Sequence, residues 1–148
     1  MTSDAFALPE PEPQPERDTE SDTEPDIAGD TEPATAALVL LDDVRTEPLD
    51  ESVPAGVEVL AGAPTAAVTS LAEVAGVEVG VWEMTPGTVT DVEADELFVV
   101  LSGRATLVVE GGATLELGPG SVVQLPEGAR TTWTVTETLR KVYVTPRG

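Results

Sequence analysis

From about residue 38 the chain is built of short apolar or alternating runs separated by turn residues. Leu38–Leu41 and Val57–Leu60 are the first candidate strands. Val77, Val79 and Val81 alternate with Glu78, Gly80 and Trp82, the period of two expected of a strand. Thr85-Pro86-Gly87 turns the chain, and Leu97–Leu101 is a continuous apolar run that ends at Ser102-Gly103. Ala105–Val109 and Ala113–Leu117 flank Glu110-Gly111-Gly112, a hairpin signal because glycine reaches positive φ without steric cost. Gly118-Pro119-Gly120 leads into Ser121–Leu125, and Pro126-Glu127-Gly128 leads into Thr131–Val135 and then Leu139–Thr145. From residue 76 onward no window of 11 or more residues holds a helical period. Val68–Val74 is the one stretch that reads as a helical turn or a loop. Strands cut roughly every eight to twelve residues predict an all-β sandwich or barrel.

Composition divides the chain. Residues 1–35 carry 11 acidic side chains against Arg17 alone, and six of the 13 prolines. They also repeat Asp-Thr-Glu at 18–20, 22–24 and 30–32. Phe6, Leu8 and Ile27 are too sparse to bury an area that offsets ordering entropy, so 1–35 is expected to be a disordered, extended acidic tail and 36–148 a single domain. The tail reads as a solubilising arm, or as a docking or phosphorylation segment around Thr19, Ser21, Thr23 and Thr31.

A formal charge of −21 argues against nucleic acid or an anionic membrane as partner. Met1-Thr2-Ser3-Asp4 lacks the basic start of a secretory signal, and no apolar run approaches the roughly 18 residues of a membrane span, so the expectation is a cytoplasmic protein. The chain has no Cys and no His. That excludes disulfides, thiol nucleophiles, zinc-thiolate sites, Ser-His-Asp chemistry and histidine-bound metals.

Two spacings then become specific. Gly87 is followed by an acidic run, Glu96, six residues and Gly103; Gly120 is followed by five residues, Pro126, one residue and Gly128. These resemble the two motifs of the cupin superfamily, small jelly-roll β-barrels. More narrowly, Gly80–Gly87, Asp95-Glu96-Leu97-Phe98, Gly118-Pro119-Gly120, Trp133-Thr134-Val135 and Arg140–Val144 resemble the cupin domain family named after (S)-ureidoglycine aminohydrolase. That resemblance runs from about Leu38 to Thr145. It implies a cupin-type jelly-roll barrel. In cupin enzymes it would also imply a divalent metal on histidines and one glutamate. The glutamate falls on Glu96. The two preceding histidines fall on Val89 and Asp91, or on Thr90 and Val92, and the last falls on Thr131. With no histidine to fill them, no cofactor is expected, although Glu96, Asp91 and water offer an oxygen-only set for a hard divalent cation. The name-giving enzyme is a tandem of two barrels, and this chain has room for one.

Strand alternation places Thr131, Trp133 and Val135 on one face, and an inward Thr131 carries Trp133 inward with it. The ligand-binding candidates are Trp82, Glu96, Thr131, Trp133, Lys141 and Tyr143, as the walls of an aromatic cavity or as the plug of a filled core. Glu96, beside an apolar run, needs a partner if buried: an arginine above all, or Lys141, Tyr143 or a ligand. It is also the candidate general acid or base. Glu83 has the same two readings and faces away from Trp82. Asp91, Glu93 and Asp95 alternate and read as a solvated edge. Three functions follow. The first is a small-molecule-binding barrel without a histidine-bound metal. The second is an enzyme acting through Glu96 on an amide, ureido or sugar-like substrate. The third is a structural or interaction protein, in which a barrel homodimer displays acidic tails.

Overall fold

A computed structural model describes residues 37–147, and the expected tail over 1–35 lies outside the described residues. Within them the fold is all-β: β1 (Glu51–Val53), β2 (Glu58–Gly62), β3 (Ala66–Val74), β4 (Val77–Met84), β5 (Gly87–Val92), β6 (Glu96–Val109), β7 (Thr114–Leu117), β8 (Val122–Leu125) and β9 (Arg130–Pro146). All pairings are antiparallel.

Two long strands organise the rest. The C-terminal stretch of β9 pairs with β4 on one side and with the start of β6 on the other. Its N-terminal stretch pairs with β5 and with the end of β6. One half of the curled sheet therefore runs β1-β3-β4-β9-β6-β8 and the other runs β2-β5-β9-β6-β7, with β6 and β9 shared. The sequence pattern predicts two strands in place of each of these. It treats Ser102-Gly103 as a strand end, whereas in the fold Gly103 is the corner of one continuous strand. The β6–β9 register slips at Val100/Ser102 and on to Ala105. Gly103 takes φ 91°, and a Cβ there would overlap the Thr138 carbonyl.

Two further expectations are corrected. Val68–Val74 belongs to β3, which hairpins onto β4 through Ala75 and Gly76, both at positive φ as a two-residue primed turn requires. Its Val and Thr side chains suit a paired strand once β4 supplies the partner. Leu38–Leu41 forms no strand. The following segment is instead held by Arg140, whose guanidinium donates to the carbonyls of Val44 and Glu47.

The inner face gathers Ala66, Met84, Val89, Phe98, Val100, Ala105, Leu107, Leu117, Leu125, Trp133, Val135 and Leu139 into one core. Period-two alternation fixes this set: along β6, Phe98 and Val100 face in while Leu97 stays exposed.

Candidate functional site

At one end of the inner face the apolar core gives way to polar side chains. Register places them: Lys141 on β9 lies opposite Trp82 on β4 and Val100 on β6, and Tyr143 lies opposite Gly80 and Phe98. Gly80 is obligatory for this arrangement, since a Cβ there would overlap the Tyr143 phenol. Glu96, first residue of β6, points to the same side.

Lys141 is 5% exposed. Its Nζ donates to Glu96 Oε1 at 2.6 Å. The same ammonium lies 4.3 Å from the ring centre of Phe98, 4.7 Å from that of Trp82 and 5.0 Å from that of Trp133. The rings pack on one another, with Trp82–Trp133 and Phe98–Trp133 centroids 6.0 and 5.7 Å apart. Tilted aromatic faces around a desolvated cation stabilise it by up to about 2 kcal/mol each. The expected partner for Glu96, an arginine, is thus replaced by a lysine.

Glu93 lies outside the sequence-derived candidates. The solvated-edge reading of Asp91, Glu93 and Asp95 holds for Asp95, which is exposed and accepts the Glu127 N–H. It fails for Glu93, which is buried and accepts from Thr131 Oγ1 at 2.6 Å and from Trp133 Nε1 at 2.8 Å. The main chain holds it there: Glu93 N–H donates to Ala129 and its carbonyl accepts from Gly128. A buried indole N–H needs an acceptor, and that requirement on Trp133 is the signal that points to a carboxylate nearby.

A cavity of about 180 Å³ opens beside these groups, lined by Trp82, Asp91, Glu93, Glu96, Trp133, Lys141 and Tyr143 among others. Five of the six sequence candidates thus meet on it. The sixth, Thr131, stands behind the wall and fixes Glu93. Asp91 is half-buried and accepts from the N–H of Val92, with no side-chain partner among the described residues. Burial first, and then the neighbouring charge of Glu93, pushes its carboxyl above the ordinary carboxylate range. Burial likewise raises the Tyr143 phenol, helped by the charges of Glu78 and Glu96. Glu83 faces the other way and pairs with Arg140, Nε to Oε2 2.7 Å.

The metal that cupin enzymes carry does not fit these residues. Thr131 and the residues from Val89 to Val92 supply no imidazole, and the ammonium of Lys141 sits on the one matching carboxylate, Glu96. Among the described residues no three His, Cys, Asp or Glu side chains converge where they could hold a metal ion.

The bent β6 and β9, their shared two-sheet topology and the inward polar cluster define a cupin-type barrel. Residues 71–143 match the family profile described as the EutQ-like cupin domain, and the fold is that of a cupin. Solved structures agree on the fold. The EutQ protein of Clostridium difficile is 20% identical with a TM-score of 0.51, over 57% of this chain and 69% of that one. A Rhizobium leguminosarum protein of unknown function is 27% identical with a TM-score of 0.51, over 56% of this chain and 82% of its own. A Pseudomonas syringae protein of unknown function is 29% identical with a TM-score of 0.52, over 58% of this chain and 38% of its own. No curated protein matches the chain. No helix among the described residues is long and apolar enough to cross a membrane.

Proposed function

We propose that the domain is a small-molecule-binding barrel that works without a histidine-bound metal. The observation that carries this reading is the cavity beside Trp82, Asp91, Lys141 and Tyr143. Binding sites are concave and mainly apolar, with a few polar groups that fix orientation. Here an indole face, a phenol and a carboxyl that has no side-chain partner among the described residues meet at one opening. At about 180 Å³ the space is below the roughly 300–1,000 Å³ of clefts that take drug-sized ligands, so the occupant is metabolite-sized. Asp91 is the polar contact we assign to it. A ligand N–H or ammonium satisfies the ionised form, and a ligand carbonyl satisfies the protonated one.

A thermal-shift screen of grouped polar metabolites in chelator tests this: at least one group should raise the melting temperature, and the rise should vanish in Asp91→Ala. A flat response to every group would end the proposal.

An enzymatic second reading, in the direction of the ureidoglycine aminohydrolase-type family, is favoured by one observation, the raised Asp91 carboxyl on the cavity wall. Asp91 then serves as general acid or base in place of Glu96, whose Oε1 is taken by Lys141. Turnover that survives Asp91→Asn would remove this reading. A cytoplasmic location, a homodimer and a docking role for residues 1–35 belong to the same proposal. Truncation of residues 1–35 tests the last through its effect on partner binding.

A further inference from the structure

The barrel invests heavily in a single ammonium. A buried charge is costly unless it is paired and its remaining donors are occupied. Lys141 meets that cost with Glu96 at 2.6 Å and with the faces of Phe98, Trp82 and Trp133, all within 5.0 Å of Nζ. Those rings are three of only five aromatic residues in the chain. Aromatic faces closed around a carboxylate form the arrangement that recognises organic ammonium ions in other receptors. In this barrel the ammonium arrives on the chain's own side chain.

We propose that the polar interior is an organic-ammonium receptor whose resident cation is Lys141, and that this cation takes the place a metal would need on Glu96. Two consequences follow. With Lys141 in place, its ammonium holds Glu96 Oε1 and repels a hard divalent ion, so the oxygen-only cation set read from Glu96 and Asp91 does not form. With Lys141 shortened, the rings and Glu96 outline an empty site that fits a small alkylammonium ion and the volume of the missing side chain.

The test uses melting temperature in the full chain, with methylammonium chloride as probe and potassium chloride at equal ionic strength as control. Lys141→Ala should melt lower than the wild type by roughly 10 °C or more, because Glu96 is left buried and unpaired. Tens of millimolar methylammonium should restore about 4 °C or more of that loss and leave the wild type unmoved. Adding Glu96→Gln to Lys141→Ala should abolish the rescue. If Lys141→Ala does not fold, Lys141→Met and the double variant Lys141→Met/Glu96→Gln replace it. The neutral double variant should then melt above Lys141→Met. Three results would overturn the proposal: no rescue of a folded Lys141→Ala, a double variant that melts no higher than Lys141→Met, or manganese that stabilises the wild type through Glu96 and is lost in Glu96→Gln. The resident cation and the ligand cavity fail separately, since methylammonium rescue is read without any metabolite and the metabolite screen is read on the wild type.

Discussion

Arg140 and Lys141 are neighbours in sequence, yet strand alternation sends them to opposite faces of β9, and each meets a glutamate. Outside, Arg140 holds Glu83 at 2.7 Å and also donates to the carbonyls of Val44 and Glu47. Inside, Lys141 holds Glu96 at 2.6 Å within a box of aromatic rings. The outer pair keeps one wet member, with the Glu83 side chain 30% exposed, while the inner glutamate is 13% exposed. The residue types follow from these surroundings. A planar guanidinium with several fixed donors can serve a carboxylate and two carbonyls at once, which suits a clasp on a chain segment. A compact ammonium on a flexible stem fits a closed box with one acceptor. Similar bonds thus do different work: one fastens the segment before β1, the other settles the electrostatics of a cavity.

Breaking the inner pair should produce the largest effect. Lys141→Met leaves Glu96 without its cation among the rings and should lower stability by about 3–5 kcal/mol in urea denaturation. Lys141→Arg, whose larger planar head does not fit the box, should recover only part of it. Arg140→Met should cost less, about 1–3 kcal/mol, because Glu83 can rehydrate. It should also carry a signature that the inner variant lacks: faster proteolysis within residues 38–50, with the barrel intact. Trp133→Phe removes the indole donor to Glu93 while keeping an aromatic face toward Lys141, and should cost about 1–2 kcal/mol. Asp91→Asn should have the smallest effect and the opposite sign. Because the folded-state carboxyl is raised above its ordinary range, its contribution to stability is present at low pH and is lost as pH rises through the folded value. At neutral pH the variant should therefore be more stable by a few tenths of a kcal/mol, discounted for its half-exposed position, and the gain should disappear in acid. Unfolding curves at neutral and acid pH measure both limbs.

Much of the fold was legible because its turns are chemically marked: Gly111 in the β6–β7 hairpin and Gly128 before β9 sit at positive φ where the sequence places a turn. The bends in β6 and β9 were not legible. A glycine at a strand corner and a glycine at a strand end look alike until the opposite strand is known, and at Gly103 the deciding neighbour is the distant Thr138 carbonyl. The site divides in the same way. Trp82, Glu96, Trp133, Lys141 and Tyr143 all line the cavity, but alternation alone leaves open whether Lys141 and Tyr143 or Arg140 and Val142 form the inward face of the last strand, because both faces carry polar groups. Glu93 was hidden because an acidic alternating stretch is usually solvated; only the cross-strand approach of Thr131 and Trp133 turns its carboxylate inward. The partner of Glu96 was similarly open, since the pairing of β6 with β9 is set by topology that no local pattern encodes.

The chain's two tryptophans, Trp82 and Trp133, both stand on the cavity, so their emission reports on the site alone. The most direct test of a cupin cavity that binds without a metal is a tryptophan-fluorescence titration with metabolites selected by thermal shift, carried out in chelator on the wild type and on Asp91→Ala. The predicted result is a saturable change in the wild type that the chelator does not affect and that Asp91→Ala lacks. Emission that stays constant for every candidate, or that changes only when a divalent ion is supplied, would contradict it.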